Sequence, residues 1–273
     1  MIIRRAALRL DIYLAESGLV KSRVTAKELI KSGQVTVDGK IAAKPSLDVD
    51  GDCKVGIIGE QLRYVGRGGL KLEKALNEFG LNLSGQVCID VGASTGGFTD
   101  CMLRNGAAFV YAVDVGHGQL DDSLVNDERV LNMEKTNILE LSAEDFPKNP
   151  SFISADVSFV SLKHILPKIK ELLPENGCAA VLIKPQFEAG KSNIGKKGIV
   201  KDRNVHAAVL KDIVSFCFSL ELEVSGLTHS PITGGNGTDG NIEYLACIKH
   251  GSSHREFDFG GIVRNAFNDL KKT

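Results

Sequence analysis

The chain contains 273 residues, of which 43% are hydrophobic and 25% are charged. That length and balance are typical of a globular protein with one or two domains, and they argue against an intrinsically disordered chain. No apolar run approaches the roughly 18 residues that a membrane-spanning helix needs. The N-terminus also lacks the apolar stretch and cleavage site of a signal peptide. We therefore expect a cytoplasmic protein that does not act on membranes.

Six cysteines are scattered along the chain without a Cys-x-x-Cys pair. Several of them lie inside apolar runs such as Val87-Cys88-Ile89. This distribution predicts reduced, packed thiols rather than a disulfide framework, and we expect no metal site.

The charge is unevenly distributed, although the net charge is only −1. Residues 1–44 contain nine Lys or Arg and four Asp or Glu, a balance of +5, so the remaining residues have a balance of −6. A basic N-terminal segment on a mildly acidic body indicates a module that binds a polyanion.

The N-terminal segment has the pattern of two short helices and a hairpin. Apolar residues at helical spacing lie between residues 8 and 17, and Gly18 is placed to end that helix. Ser22 can cap a second helix, which Gly33 stops. Asp38-Gly39 then predicts a two-residue hairpin turn, because both residues tolerate positive φ.

These residues resemble the alpha-L RNA-binding domain first seen in a small-subunit ribosomal protein. The resemblance rests on Leu10-Asp11-x-Tyr13-Leu14, Ser22-Arg23-x-x-Ala26 and Gly33-x-Val35-x-Val37-Asp38-Gly39. In that family the second helix and the hairpin face RNA, which implies phosphate contacts with little reading of sequence. The residues implied are Lys21, Ser22, Arg23, Lys27 and Lys31. A solvated basic helix face is the alternative.

After a connector around residues 59–64, strand and helix signals alternate as far as His250, which is the pattern of a doubly wound α/β sheet. We predict strands over residues 87–91, 109–115, 152–156, 179–183 and 243–249. Ligands of such sheets lie beyond the carboxyl ends of the strands. Asp156 and Lys184 stand at two of these ends, and the loop 234–240 can bring Glu243 to the same region. Polar groups are therefore expected to converge there.

The first of these strands runs into Asp90-Val-Gly-Ala-Ser-Thr-Gly-Gly-Phe, whose glycines let the backbone turn sharply and approach a ligand. Asp114 stands at the end of the next strand, where a carboxylate can bond a ribose diol. The spacing is not the Gly-x-Gly-x-x-Gly of dinucleotide sites, so a nicotinamide or flavin cofactor is disfavoured. It resembles motif I of S-adenosylmethionine-dependent methyltransferases, with Asp90 near the positively charged end of the cofactor. The expected S-adenosylmethionine contacts are Asp90, Gly92, Ala93, Ser94, Gly96, Gly97, Phe98, Asp114, Val115 and, at a looser motif match, Asn137.

A closer resemblance rests on Tyr64-Val-Gly-Arg-Gly-Gly-Leu-Lys-Leu-Glu73, Ala155-Asp156-Val-Ser-Phe, Ile183-Lys184-Pro-Gln-Phe-Glu188 and Gly240-Asn-Ile-Glu243-Tyr. With the motifs above, nearly the whole chain is similar to the TlyA family, whose members are often labelled hemolysin A. That family methylates ribose 2'-hydroxyls of ribosomal RNA and has a catalytic domain similar to the FtsJ RNA methyltransferase. The similarity implies a catalytic tetrad of Lys71, Asp156, Lys184 and Glu243. Gly66-Arg67-Gly68-Gly69 departs from the Ser-Arg-Ala-Gly of relatives, which puts the flexibility of the segment before Lys71 in question.

We therefore predict a Rossmann-like class I methyltransferase sheet, mostly parallel with an antiparallel last strand, preceded by a small α+β RNA-binding domain. The expected boundaries are residues 1–58 for the RNA-binding domain, 59–66 for a connector, 67–250 for the methyltransferase domain and 251–273 for a helical tail. The tail is expected to cap the sheet or to bind a partner.

The expected reaction is ribose 2'-O-methylation of ribosomal RNA or ribosomal subunits, with Lys184 deprotonating or orienting the hydroxyl. Family analogy points to a cytidine of the large subunit, and some members also modify the small subunit. Further RNA contacts are expected from Arg67 and from Lys191, Lys196 and Lys197, which lie in a segment that we interpret as a mobile loop. A loop that is merely solvated is the alternative.

Three other functions are alternatives. A non-catalytic ribosome assembly factor conflicts with the intact tetrad, and a pseudouridine synthase has no need of the glycine-rich loop. A membrane-acting hemolysin would need a spanning segment or a strongly amphipathic cationic helix, and the sequence has neither. The sequence gives no signal of an oligomeric state.

Overall fold

The computed structural model describes residues 8–20, 22–50, 53–57, 63–234 and 240–270. These residues form two compact units, one extending to Arg63 and the other containing Tyr64–Gly234 and the residues from Gly240 onward. The second unit thus begins inside the connector expected at residues 59–66. Each unit has a hydrophobic core of its own.

The first unit packs two helices with short strands. Its elements are β1 (Leu8–Arg9), α1 (Leu10–Glu16), α2 (Arg23–Lys31), β2 (Val35–Val37), β3 (Lys40–Ile41), β4 (Asp48–Val49) and β5 (Val55–Ile57). Strand β1 pairs with β4, and β2 lies between β3 and β5. Leu10, Leu14, Ile30 and Val35 are fully buried between these elements, so the apolar positions at helical spacing do form the core.

The hairpin predicted at Asp38-Gly39 is confirmed. Val37 pairs with Lys40 across the turn, and φ is 51° at Asp38 and 77° at Gly39. Two positive φ values define a type I′ turn, whose twist matches that of the flanking strands. The predicted cap of α2 is also present, because the Ser22 hydroxyl accepts a hydrogen bond from the backbone N–H of Thr25 at 3.2 Å.

The second unit alternates strands with helices. Its elements are α3 (Gly68–Phe79), β6 (Val87–Val91), α4 (Gly97–Arg104), β7 (Phe109–Val113), α5 (Asp122–Val125), β8 (Val130–Met133), β9 (Phe152–Ala155), α6 (Leu162–Leu172), β10 (Cys178–Ile183), α7 (Pro185–Glu188), α8 (Arg203–Ser219), β11 (Leu222–His229), β12 (Tyr244–His250) and α9 (Phe259–Leu270).

A seven-stranded sheet organises this unit in the order β11-β12-β10-β9-β6-β7-β8. Strands β6 to β10 run parallel, and β12 is antiparallel to both of its neighbours. The predicted fold class is therefore confirmed. The strands are almost continuously apolar because helices cover both faces of such a sheet. Strand order reverses between β6 and β9, which opens a crevice at their carboxyl ends.

Five strand ends differ from the predicted ones by one or two residues, and three of these differences leave a polar residue outside the sheet. Strand β7 stops at Val113, so Asp114 and Val115 leave the sheet. Strand β9 stops before Asp156. Strand β12 starts at Tyr244, so Glu243 lies just outside it. The apolar pattern of the sequence continues through these residues. It shows which residues favour a strand but not where the backbone hydrogen bonds between strands stop.

The C-terminal helix α9 packs on α8 and β11, so the tail caps the sheet, one of the two expected outcomes. Val263 and Ala266 are buried in this contact, and the ring of Phe267 lies 5.2 Å from that of His206.

All six cysteines are free thiols, as predicted. Within the described ranges, His, Cys, Asp and Glu side chains do not gather in a group of three that could hold a metal ion. No helix among the described residues is long and apolar enough to cross a membrane.

Candidate active site

A cavity of about 550 Å³ opens beside the carboxyl ends of β6, β7 and β9. Cavities of this size accommodate cofactors and other drug-sized ligands. Its position next to the reversal of strand order is where open α/β sheets bind ligands. The predicted site residues that line it are Gly92, Ser94, Asp114, Val115, Asn137 and Asp156.

The turn after β6 requires glycine at two positions. Gly92 has a φ of 82°, and a Cβ added there would lie 2.8 Å from the carbonyl oxygen of Asp156. Gly96 has a φ of 93°, and its Cβ would lie 2.2 Å from the side chain of Leu124. Positive φ and lack of space both exclude larger residues. Gly92 therefore lines the cavity. Gly96 instead lets the turn pack against the side chain of Leu124.

Asp114 is held at the cavity by two backbone donors. Its Oδ2 accepts a hydrogen bond from the N–H of Ser94 at 2.8 Å, and its Oδ1 accepts one from the N–H of Gly116 at 2.6 Å. A carboxylate has about four acceptor sites, so it retains capacity for further donors. Asp114 is therefore fixed in place and still able to bind a diol.

Asp90, predicted to contact the cofactor, is instead fully buried and does not line the cavity. Its oxygens accept hydrogen bonds from the hydroxyl of Thr99 at 2.7 Å and from that of Ser154 at 2.8 Å. Burial raises the pKa of Asp90 to about 6 against the effect of these two donors. Asp90 therefore joins β6, α4 and β9 and does not offer a free carboxylate to a ligand.

Four more of the predicted cofactor residues lie outside the cavity lining: Ala93, Gly96, Gly97 and Phe98. Ala93 and Phe98 are buried in the hydrophobic core. A Cβ on Gly97 would lie 2.9 Å from the backbone nitrogen of Gly69, so Gly97 permits close contact between α4 and α3. These residues support the loop from outside the cavity lining.

Asn137, the loosest of the predicted cofactor contacts, does line the cavity. Its Oδ1 accepts a hydrogen bond from the backbone N–H of Leu139 at 3.1 Å and so caps a short 3₁₀ helix at Ile138–Glu140. The cap leaves the amide nitrogen of Asn137 as the group able to donate to a ligand.

Lys71, Asp156, Lys184 and Glu243 form one connected chain of charges. Lys71 Nζ lies 2.7 Å from Glu243 Oε2 and 3.4 Å from Asp156 Oδ2. Lys184 Nζ lies 2.5 Å from Asp156 Oδ1 and donates a hydrogen bond to the Ser158 hydroxyl at 2.9 Å. The predicted convergence of the four residues therefore occurs, and Asp156 and Ser158 bring one end of the chain to the cavity.

Lys71 and Asp156 are held in their charged forms by the charged side chains around them. Burial alone would lower the pKa of Lys71, but Asp156 and Glu243 outweigh it and raise that pKa. Burial would likewise raise the pKa of Asp156, but Lys71 and Lys184 lower it. The site is therefore a network of two positive and two negative side chains, not one isolated group with a shifted pKa.

The segment before Lys71 is fixed by packing. A Cβ on Gly69 would lie 2.3 Å from the Tyr64 ring, so glycine is required there. A Cβ on Gly66 would lie 2.7 Å from the Thr95 hydroxyl, whereas one on Gly68 would meet its nearest neighbour at an ordinary 3.6 Å. Of the two glycines that depart from the relatives' pattern, Gly66 is thus the one adapted to its surroundings.

Two of the predicted RNA contacts in the first unit, Arg23 and Lys27, lie beside a buried carboxylate. Asp11 is fully buried, and its ion-pair partners are Arg9 at 3.0 Å, Arg23 at 3.3 Å and Lys27 at 4.0 Å. Burial would raise the pKa of Asp11, but Arg9 and Arg23 lower it. These partners remain about half exposed, so their other donors can reach phosphates.

The remaining predicted contacts in this unit differ in their surroundings. Lys31 is exposed at the end of α2. The hydroxyl of Ser22 is engaged in capping α2. Lys21 lies outside the described residues.

The predicted cations of the second unit lie in two segments. Arg67 immediately precedes α3 and is half-buried. Lys191, Lys196 and Lys197 are exposed in the loop between α7 and α8.

Sequence reasoning missed an exposed aromatic residue at the cavity. Phe159 lines it, is 92% exposed and has a φ of 65°. Its ring lies 5.3 Å from that of Phe187, which follows Lys184 by three positions. Both phenylalanines belong to motifs already noted, so the signal was present, but nothing in a sequence shows that Phe159 faces solvent.

Comparison with known proteins matches both units. The model of the FtsJ-like methyltransferase family matches residues 64–250, and that of the S4 domain matches residues 8–52. The chain is 47% identical over 272 residues to YqxC of Bacillus subtilis (strain 168), whose name proposes an rRNA methyltransferase, covering 97% of this chain and 95% of that protein. It is 38% identical over 247 residues to the 16S/23S rRNA (cytidine-2'-O)-methyltransferase TlyA of Mycobacterium tuberculosis, covering 90% of each. A solved structure from Streptococcus thermophilus, provisionally named a hemolysin, is 42% identical with a TM-score of 0.78 and covers 97% of both chains.

Proposed function

Because the chain belongs to the TlyA family of FtsJ-like methyltransferases, we propose that it methylates a ribose 2'-hydroxyl of ribosomal RNA, using S-adenosylmethionine. The observation that carries the proposal is the connected chain Glu243, Lys71, Asp156 and Lys184, of which Asp156 lines the cavity. A ribose hydroxyl is a poor nucleophile at neutral pH, so it must be aligned and must lose its proton. A charge-balanced site in which buried Lys184 pairs with Asp156 at the cavity suits both requirements.

The cavity has the chemistry that S-adenosylmethionine requires. Asp114 retains acceptor sites for a ribose diol, and Val115 and Leu139 offer apolar surface to an adenine ring. Gly92 contributes backbone without a side chain to the cavity lining. Asp156 faces the cavity and Asp90 does not, so we assign attraction of the positively charged end to Asp156. The bound cofactor supplies a methyl group on a sulfonium, which is already activated for transfer.

We assign to Lys184 the orientation of the 2'-hydroxyl. An ammonium group has three donors, and Asp156 and Ser158 account for two of them, which leaves one for the 2'-oxygen. As the hydroxyl proton passes to solvent water during methyl transfer, the same ammonium stabilises the negative charge that develops on that oxygen. Lys71 and Glu243 hold Asp156 in place and so act on the hydroxyl through Lys184.

The RNA substrate is inferred from the basic S4 unit and from the names of the relatives. The half-exposed Arg23 and Lys27 are suited to phosphates of folded RNA. The relative TlyA of Mycobacterium tuberculosis is named for cytidine in both ribosomal subunits. We therefore propose a cytidine of large-subunit RNA as the first target and one of small-subunit RNA as the second.

Transfer of labelled methyl from S-adenosylmethionine to purified ribosomal subunits and to naked ribosomal RNA tests this function. Lys184→Ala is expected to abolish transfer and leave cofactor affinity nearly unchanged, because Lys184 lies beyond the residues assigned to the cofactor. Lys211→Ala on α8, which removes an exposed lysine, is the matched control and should behave as wild type. A wild-type protein that binds cofactor and subunits without transferring methyl would be a non-catalytic assembly factor instead.

A further inference from the structure

The loop between α7 and α8 contains a closed turn, residues 195–199, that presents two lysines. The N–H of Gly195 donates to the carbonyl of Ile199 at 3.0 Å, and the N–H of Gly198 donates to the carbonyl of Gly195 at 2.8 Å. Lys196 and Lys197 lie between these bonds and are exposed. We call these five residues the lysine turn. It holds two neighbouring cations at the surface on a backbone that is closed by its own hydrogen bonds.

Asn241 holds the end of the lysine turn with both atoms of its side-chain amide. Its Nδ2 donates to the carbonyl of Gly198 at 2.9 Å, and its Oδ1 accepts from the N–H of Val200 at 3.0 Å. Its backbone carbonyl in turn accepts from the N–H of Gly234 at 2.8 Å. Asn241 therefore connects the turn to the segment that leads into β12.

His206 holds the same point from α8. Its Nε2 donates to the carbonyl of Val200 at 3.0 Å, because a carbonyl can only accept. In the neutral ring Nδ1 then accepts from the hydroxyl of Tyr244 at 2.9 Å. His206 and Tyr244 are both fully buried. The peptide groups at Val200 are thus held by Asn241 through the N–H and by His206 through the carbonyl.

The residues that hold the lysine turn flank Glu243 in the chain. Asn241 precedes Glu243 by two positions and Tyr244 follows it. Tyr244 also pairs with Ile183, the residue before Lys184. The contacts that fix the lysine turn therefore reach the same short segment that places Glu243 beside Lys71.

We propose that Asn241 and His206 are positioning residues that hold the lysine turn against the Glu243 segment, so that RNA phosphates bound by Lys196 and Lys197 are placed relative to the ion pair of Glu243 and Lys71. The inference rests on the proposed function, since the phosphates are those of the RNA substrate. A turn closed before binding loses little conformational freedom when it engages phosphates, whereas a free loop would have to be ordered. Without Asn241 the two lysines remain, but the turn that presents them must be ordered when RNA binds.

A double-mutant cycle on binding of naked ribosomal RNA tests the coupling. Asn241→Ala and the pair Lys196→Ala with Lys197→Ala are each expected to weaken binding about tenfold, the loss that corresponds to one or two net hydrogen bonds or phosphate contacts. The triple variant is expected to remain near tenfold, because lysines on an unheld turn contribute little. A loss near one hundredfold in the triple variant, or wild-type binding by Asn241→Ala, would overturn the proposal.

Two further measurements separate positioning from general damage to the fold. His206→Gln keeps a donor for the Val200 carbonyl and should bind RNA within about threefold of wild type, whereas His206→Ala should lose about tenfold. In methyl transfer, Asn241→Ala should raise KM for RNA with cofactor affinity unchanged. If the wild type transfers no methyl at all, the proposed function fails, but the binding cycle still decides whether Asn241 and the lysine turn act together.

Discussion

The Nζ of Lys71 lies 2.7 Å from Oε2 of Glu243, although the two residues come from opposite ends of the second unit. Lys71 belongs to α3, which opens the unit, and Glu243 immediately precedes β12. Asp156 extends the pair to Lys184. Removing any one of these buried groups leaves a neighbour with an uncompensated charge, which costs more than the missing contact itself.

Glu243→Gln should change how the rate of methyl transfer depends on pH, because it removes a negative partner of Lys71. Glu243 and Asp156 together raise the pKa of Lys71 against the effect of burial, so loss of Glu243 lets that pKa fall. We expect kcat to drop about 100-fold and the alkaline limb of its pH profile to move to lower pH. Glu223→Gln, which breaks the ion pair with the half-exposed Lys249, is the matched control. An alkaline limb that stays in place in Glu243→Gln would contradict the role of Glu243.

Asp90→Asn should change how stability depends on pH. The folded state raises the pKa of Asp90 from 3.8 to about 6, so it binds this proton more tightly than the unfolded chain does. The stability that results is fully present below pH 3.8 and is lost as pH rises through about 6. The loss amounts to about 3 kcal/mol. Asparagine cannot titrate, so Asp90→Asn should lack this loss.

Urea unfolding of both proteins at pH 4 and pH 8 provides the measurement. Between these values the free energy of unfolding of the wild type should fall relative to that of Asp90→Asn. Equal changes in the two proteins would show that Asp90 has an ordinary pKa in the folded protein.

The contrast between Asp90 and the tetrad shows what a sequence can and cannot predict. Strand ends were sufficient to predict that Asp156 and Lys184 lie together, because parallel strands bring their carboxyl ends to one edge. The loop before the last strand placed Glu243 in the same region, and the family resemblance implied Lys71. Asp90 lies in an equally recognisable motif. Its burial depends on hydroxyls from Thr99 and Ser154, residues on two other elements that nothing in the motif identifies.

Phe159→Ala should weaken use of RNA without destabilising the fold. The ring is 92% exposed at the cavity and adopts a positive φ, which stability alone does not favour for a large side chain. Stacking of a nucleobase on an aromatic ring contributes about 1–3 kcal/mol, so KM for RNA should rise at least fivefold. Phe159→Tyr, which keeps a stacking ring, is the matched variant. A melting temperature that falls while KM stays constant would indicate a structural residue instead.

Arg23→Ala should weaken RNA binding through electrostatics. Each lost phosphate contact lowers the slope of log binding constant against log salt concentration by about 1, and it does so for any RNA sequence. Lys170→Ala, which removes a lysine already paired with Glu221, should leave the slope unchanged. An unchanged slope in Arg23→Ala would mean that the α2 cations are only solvated.

The contacts that hold the lysine turn could not be predicted from the sequence, because they come from residues outside the loop. The segment was interpreted as a mobile loop because it is rich in lysine and glycine. Asn241 and His206, which hold it, lie on other segments, and only the folded structure brings them into hydrogen bonds with Val200. Composition therefore predicted the charge of this loop but not its anchoring.

Alkaline hydrolysis of ribosomal RNA that the protein has methylated with labelled cofactor tests the central claim most directly. A 2'-O-methyl group blocks cleavage of the adjacent phosphodiester, so ribose methylation leaves the label in dinucleotides, whereas base methylation leaves it in mononucleotides. We predict labelled dinucleotides from the wild type and none from Lys184→Ala. Label confined to mononucleotides, or dinucleotide label that persists in Lys184→Ala, would contradict a 2'-O-methyltransferase that acts through Lys184.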